Sequence, residues 1–592
     1  MMGAHIEGLT GSIADTPVVH GVDMSIGQGE RVGLVGSSGS GKTMIAKTIM
    51  GLLPRQAVVE GSVHLGERQI VGASDEDMAD IRGRLVSLVP QNPTTSLNPV
   101  ERVGRQVARP LREHTDLGPD RRRDRVLRVL RSVGLDDSIA TRYPHELSGG
   151  QCQRVCIATA MVASPRLIVA DEPTTALDSL AQREILDLLT GLVEVSGSSL
   201  LLITHDFAVL SRSVSRAYVL EQGRVVEAAP IRDLIERPSS PMGRRLSAAA
   251  SALTLHSPAS GCVAVPSDDG VVNSSDDGGM VPSRGPVGSG CGGAASGCEA
   301  CGDGAVRHGS RDNGSRDSGS RDSGSRGVRM EEGASVGSEP LVRMSHLAVS
   351  RGRGRHRRTI LTDVDLSVLP GRTLAIIGSS GSGKTTMVRA MLGLEPDVDG
   401  AVSYRGLAVR GPDSPGFRAL RRESALMSQN PFASLDPWWT VERSVGEPLR
   451  IAGWHDGEDI RRRVDWALSS VGLDASLVAG RYPVDLSGGQ AQRVALARAM
   501  VTGPRLIVAD EPMSALDVVS RMQVVEACES IRRARPDMAM VIVSHDLGVV
   551  RRMADDVVAL RRGTIVERAP VGDIIASARS PYVRALVDAA TM

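Results

Sequence analysis

The sequence predicts an α/β fold built twice: two halves, each with a largely parallel sheet and a small helical subdomain, joined by a disordered linker. Three observations predict it. Short, continuous apolar runs such as Leu167-Ile-Val-Ala170 and Leu200-Leu-Leu-Ile203 read as strands buried on both faces. Five motifs recur in the same order at an offset of about 340 residues: GSSGSGKT, Gln-Asn-Pro, LSGGQ, LIVADEP and His-Asp. Between the halves the composition turns rich in Gly, Ser and Asp and poor in apolar residues.

Along the chain, the first half (1–250) opens its core with Arg31-Val-Gly-Leu-Val-Gly36, a strand running into a Gly-rich turn. Helical spacing of Met44, Ile45, Ile49 and Leu52 predicts a helix from Thr43 to Leu53. Between Gln91 and Leu147, Val126, Leu127, Leu130 and Val133 share one helical face amid arginines. Ile460, Val464, Leu468 and Val471 repeat this in the second half (340–592), so each half carries a helical subdomain. The segment 251–339, with its GSRDNGSRDSGSRDSGSRG tract, cannot bury enough apolar area to offset its ordering entropy. It reads as a flexible linker whose ~90 residues span roughly 50 Å r.m.s..

The chain has 592 residues, 69 Lys+Arg and 69 Asp+Glu. That zero balance argues against a bulk nucleic-acid binder. No run of 18 apolar residues and no basic-then-apolar leader is present, so neither a membrane span nor a secretory signal is expected. Seven cysteines make no disulfide framework, and a reducing compartment is the default. Of these, Cys262, Cys291, Cys298 and Cys301 fall in the linker, and Cys298-Glu-Ala-Cys301 has a metal-like spacing. Free thiols and a metal or Fe–S cluster both remain open there.

Cations are nearly all Arg; the only lysines are Lys42, Lys47 and Lys384. Two of them end glycine-rich loops, Gly36-Ser37-Ser38-Gly39-Ser40-Gly41-Lys42-Thr43 and Gly378-Ser379-Ser380-Gly381-Ser382-Gly383-Lys384-Thr385. The glycines let backbone N–H groups turn inward on a phosphate, and the helix that follows adds its positive end. A Lys is the compact point charge that fits such a cradle, where an Arg fork does not. Thr43 and Thr385 offer hydroxyl ligands for Mg²⁺. Lys47 reads as a solvated helix residue. Asp171 and Asp510 end apolar strands at the carboxyl edge of the sheet, where a carboxylate can hold Mg²⁺ or its water. Glu172 and Glu511 follow as candidate general bases, and His205 and His545 as donors toward a γ-phosphate.

The loop motif, a Gln loop at Gln91 and Gln429, LSGGQ, Asp-Glu-Pro, Ala176-Leu177-Asp178 with Ala515-Leu516-Asp517, and the histidines together resemble the ATP-binding-cassette (ABC) ATPases. The resemblance covers about 250 residues in each half. It implies two P-loop NTPase domains, each with a RecA-like parallel core and a helical subdomain, and MgATP as substrate. It adds Gln91 and Gln429 as catalytic and metal-side residues. It also implies a head-to-tail intramolecular sandwich. Ser487, Gly488, Gly489 and Gln490 would complete the first ATP site, and Ser148, Gly149, Gly150 and Gln151 the second.

Within that family, Gln91-Asn-Pro-Thr-Thr-Ser-Leu-Asn-Pro99, Gln429-Asn-Pro-Phe-Ala-Ser-Leu-Asp-Pro437, Arg-Tyr-Pro before each LSGGQ and Ser580-Pro-Tyr-Val-Arg-Ala-Leu586 are similar to the ATPases of peptide/nickel-type importers. The implied protein is a bacterial peripheral subunit at the cytoplasmic face of the membrane. It would drive two separate permease subunits fed by an extracytoplasmic solute-binding protein, with di- or oligopeptides as cargo. Nickel or another small solute is an alternative cargo. A tandem-cassette ATPase acting on ribosomes or DNA is an alternative class, although its inter-cassette segment is typically helical and charged. The family's aromatic ahead of the glycine-rich loop is missing; His20, His356 or an Arg is left to face adenine.

Overall fold

The computed structural model describes residues 2–174, 177–255, 339–352, 357–514 and 516–591. Linker residues 256–338 with their four cysteines, together with Ala176, Ala515 and His356, lie outside the described residues. The described residues of both halves belong to one compact unit.

Each half holds a six-stranded sheet. In the first the order is Arg224–Pro230, Arg216–Glu221, Arg31–Gly36, Ser199–Ile203, Leu167–Asp171, Val86–Val89. All neighbours pair in parallel except the Arg224–Pro230 edge strand. The second half repeats the order with Thr373–Ile377 beside Ala539–Val543 and Asp556–Arg561. Leu167–Asp171 and Ser199–Ile203 are buried at every residue, as continuous apolar runs require.

A second, antiparallel sheet in each half was not legible in the sequence. Its order is Thr16–Gly27, Met2–Ile13, Ala57–Leu65, Arg68–Gln69 in the first half. Its inner face alternates through Val22, Met24 and Ile26, all buried.

The loop helix is shorter than its apolar spacing suggested. It runs Lys42–Ile49, because Gly51 turns left-handed at φ +60 and ends it; Leu52 is therefore exposed. In the helical subdomain, Pro119–Ser132 buries Val126, Val129 and Leu130, whereas Leu127 sits at the edge of the stripe. Gly457–Ser470 buries Ile460, Val464 and Leu468, and Val471 follows them into the core.

The first half continues past the change of composition. Helix Pro241–Leu253 packs on the second half's helices Val518–Ala534 and Leu547–Met553, and Leu255 bridges to Thr591. Reciprocally, helix Pro581–Ala590 packs on Ser179–Ser196 of the first half.

Candidate functional site

The glycine-rich loops sit between a central strand and its helix in both halves. Gly41 and Gly383 adopt φ +103 and +107, a left-handed backbone that L side chains resist, and so aim Lys42 and Lys384 back over the loop. Lys42 Nζ donates to the carbonyls of Gly36 and Ser37 at 2.9 and 2.8 Å; Lys384 Nζ does the same to Gly378 and Ser379 at 2.8 and 3.1 Å. Both lysines are buried, and burial pushes the Lys42 ammonium below its ordinary value against the pull of Glu172. Buried hydroxyls of Ser40 and Ser382 have no hydrogen-bond partner. An anion in the cradle would answer both the crowded lysine and the orphaned hydroxyls.

A cavity of about 440 Å³ opens at the first loop. Its lining includes Ser38 to Thr43, Lys47, Gln91, Glu172 and His205. Lys47 is exposed, as its sequence position suggested, yet it borders this cavity. Its apolar wall is Ile13 and Val18, at the end of the antiparallel hairpin, with Met44, Leu53 and Pro54. These supply a surface for a flat base where no aromatic stands. His20 does not line the cavity.

Behind the loops stand two carboxylates per half. The Thr43 hydroxyl bonds Asp171, and Thr385 Oγ1 donates to Asp510 Oδ1 at 3.4 Å. Burial raises both aspartates above the ordinary carboxylate value, a cost that a cation beside them would remove. An acidic oxygen next to a Thr hydroxyl is hard-donor chemistry that fits Mg²⁺.

Glu172 and Glu511 hold φ +45 and +47, unusual for a non-glycine residue. Gln91 Nε2 donates to Glu172 Oε2 at 2.8 Å, and Gln429 Nε2 to Glu511 Oε2 at 3.1 Å. His205 Nδ1 lies 3.3 Å from Glu172, and His545 Nδ1 lies 3.8 Å from Glu511. The His545 contact holds the Glu511 carboxyl below its ordinary value, with Lys384 also 3.6 Å away. The structure thus gathers Gln, Glu and His beside each loop although they lie far apart in sequence.

LSGGQ starts a helix in each half. Ser148 and Ser487 each cap it, taking N–H bonds from Gln151 and Gln490 at 3.3 and 3.2 Å, and both serines are exposed. Among the described residues no hydrogen bond joins either LSGGQ segment to the opposite glycine-rich loop. What reaches each loop from the other half is an aspartate: Ser38 N donates to Asp517 at 3.4 Å and Ser380 N to Asp178 at 3.0 Å. Both aspartates also cap their own helices. Sequence reading counted them in a motif but not among the site residues; their recurrence five residues after each Asp-Glu-Pro was the available signal. Tyr582 was likewise missed: its hydroxyl accepts from Ser379 N at 2.6 Å.

Two cradles of this kind, each backed by paired carboxylates, a glutamine and a histidine, define a protein that binds nucleoside triphosphates and can polarise water against them. The ABC transporter family profile matches residues 19–175 and 361–514. Glutathione import ATP-binding protein GsiA of Salmonella paratyphi A is 33% identical over 590 residues, 96% of this chain and 86% of that protein. GsiA of Escherichia coli (strain K12) is 33% identical over 587 residues with the same coverage. Among solved structures, the dimeric ATP-binding cassette MJ0796 with ADP and Pi bound is 28% identical, covers 39% of this chain and 99% of that one, and has a TM-score of 0.36. The chain belongs to the ABC transporter family, as a tandem-cassette ATP-binding ATPase.

Proposed function

We propose that the protein is the energy-coupling subunit of an importer, hydrolysing MgATP at two composite sites to drive separate membrane permeases. The observation that carries this is the doubled Gln–Glu–His cluster beside each lysine cradle. The domain assignment proposed is cassettes 1–250 and 340–592 around a linker 251–339, with helix Pro241–Leu253 carrying the first cassette a few residues past that bound.

In the first cassette, Gly36 to Thr43 bind the triphosphate, with Lys42 on its outer phosphates. Thr43 and Asp171, with Gln91 at the metal side, would hold Mg²⁺, which when bound neutralises charge building on those phosphates. Glu172 takes a proton from the attacking water, and His205 orients the terminal phosphate. Lys384, Thr385, Gln429, Asp510, Glu511 and His545 do the same in the second. Ser487 to Gln490 close on the first site and Ser148 to Gln151 on the second in an ATP-bound sandwich, and the reach of Asp178 and Asp517 to the opposite loops supports that pairing.

Permeases dock at the groove between each helical subdomain and the core, beside the Gln loops. Exposed Phe432 and Trp438 in the second cassette support this. Among the described residues no helix is long and apolar enough to cross a membrane. The subunit works at the cytoplasmic face through those partners, with a solute-binding protein outside and no nucleic acid. Glutathione is a small peptide, so relatives named for its import support a di- or oligopeptide cargo.

The test is turnover of MgATP by purified full-length protein. Glu172→Gln and Glu511→Gln each lower it, and the double variant lowers it about a hundredfold or more. A double variant with wild-type turnover ends this reading. Co-purification of a hydrophobic permease pair supports the importer role, and of ribosomes or DNA overturns it.

A further inference from the structure

A cavity of about 150 Å³ lies where the two histidine loops approach each other, lined by Ser179, His205, Val518, Arg521, His545 and Asp546 among others. Its two sides are not equivalent. On the second-cassette side, Arg521 Nη1 donates to Asp546 Oδ2 at 2.6 Å, in a pair that is mostly buried, and Arg521 Nη2 donates to the carbonyl of Leu516 at 3.2 Å. Asp546 uses its other oxygen to cap the following helix, accepting from Gly548 and Val549 N–H. From the other cassette, the Ser179 hydroxyl donates to the His545 carbonyl at 2.7 Å. The His545-Asp546 turn is therefore held from both cassettes.

The corresponding positions of the first-cassette side are Gln182 for Arg521 and Val518 for Ser179, by register of the two Leu-Asp sequences. Gln182 turns away and donates to the Thr174 hydroxyl at 3.2 Å. Asp206 caps its helix through Ala208, and among the described residues it forms no ion pair. Val518 has no hydroxyl to give to His205. A side chain that must meet a developing charge acts best when its backbone is already fixed.

We infer that Ser179 and Arg521 are positioning residues for His545, so that hydrolysis at the second ATP site depends on an anchor the first site lacks. This rests on the reading of two hydrolytic sites given above. The experiment uses full-length protein and MgATP in two single-site backgrounds. With Glu172→Gln, which leaves the second site, Arg521→Gln and Ser179→Val each lower kcat about tenfold and keep KM for ATP within twofold. Arg521→Lys, which can still meet Asp546, recovers most of kcat. With Glu511→Gln, which leaves the first site, the same changes keep kcat within twofold. Equal loss in both backgrounds, or loss in neither, overturns the inference.

If both backgrounds are silent, the reading of two independently active sites falls, and amide hydrogen exchange then tests the anchor alone. Residues 545–549 are protected more than 205–209, and Arg521→Gln removes the difference. Equal protection in the unmodified chain overturns the anchor.

Discussion

At matching positions of the two parallel sheets, the first cassette sets Glu30 against Arg216 at 2.6 Å, while the second sets Arg372 against Asp556 at 3.3 Å. The charges are exchanged between strands and the pair survives. Around the phosphate loops nothing is exchanged: lysine, threonine, aspartate, glutamate, glutamine and histidine stand in the same places in both. The contrast separates two kinds of requirement. A structural ion pair needs opposite charges at one distance, in either order. A phosphate and its metal accept only donors on one side and hard oxygens on the other, so no exchange is possible.

The outer surfaces differ more. All four tryptophans, at 438, 439, 454 and 466, lie in the second helical subdomain. Where the second cassette exposes Phe432 and Trp438, the first has Thr94 and Val100. If the second cassette makes the stronger permease contact, Trp438→Ala weakens recovery of the permease pair about thirtyfold in a binding assay, a loss of ~2 kcal/mol expected for a buried tryptophan anchor. Val100→Ala changes it less than threefold. Equal losses would break the comparison.

An effect of similar size, read in stability rather than binding, is expected where the cassettes pack. The second cassette has Gly548 where the first has Ala208. A Cβ at Gly548 would lie 1.4 Å from the Leu253 carbonyl oxygen, so the helix ending the first cassette rests directly on this backbone. Gly548→Ala costs about 2 kcal/mol in denaturant unfolding, and Ala208→Gly less than half of that.

The smallest concerns the exchanged pair. Arg216 also donates to Tyr218 Oη and the Ser25 carbonyl, so Arg216→Met costs about 1 kcal/mol and Arg372→Met less. The Arg216 hydrogen bond holds the Glu30 carboxyl below its ordinary 4.5, against the opposing effect of burial. Its contribution is therefore full above pH 4.5 and lost as pH falls through the lower folded-state value. The cost of Arg216→Met in chemical denaturation should shrink along that acid limb.

Much of this protein was legible before its structure. The loops, the Asp-Glu pairs and the histidines are short contiguous motifs, because a phosphate cradle is built from consecutive backbone N–H groups and the ends of strands. The helical subdomains were legible through one apolar stripe, with only Leu127 and Val129 trading places. The antiparallel sheet was not, since its pairing joins Met2–Ile13 to Ala57–Leu65 across two intervening strands, a loop and a helix. The helix end at Gly51 was also misread, because an apolar residue beyond a left-handed glycine still satisfies helical spacing.

By itself, then, the sequence determined the chemistry: two phosphate loops that retain lysine in an arginine-rich chain, each with its carboxylates, glutamine and histidine. Only the tertiary structure decided which groups from opposite cassettes meet. Asp178 reaches Ser380, Asp517 reaches Ser38, and Ser179 holds His545 with no counterpart at His205. Local motifs are written by chemistry among neighbours in the chain. Contacts between residues some 200 to 480 positions apart depend on how two finished surfaces pack, which no window of sequence contains.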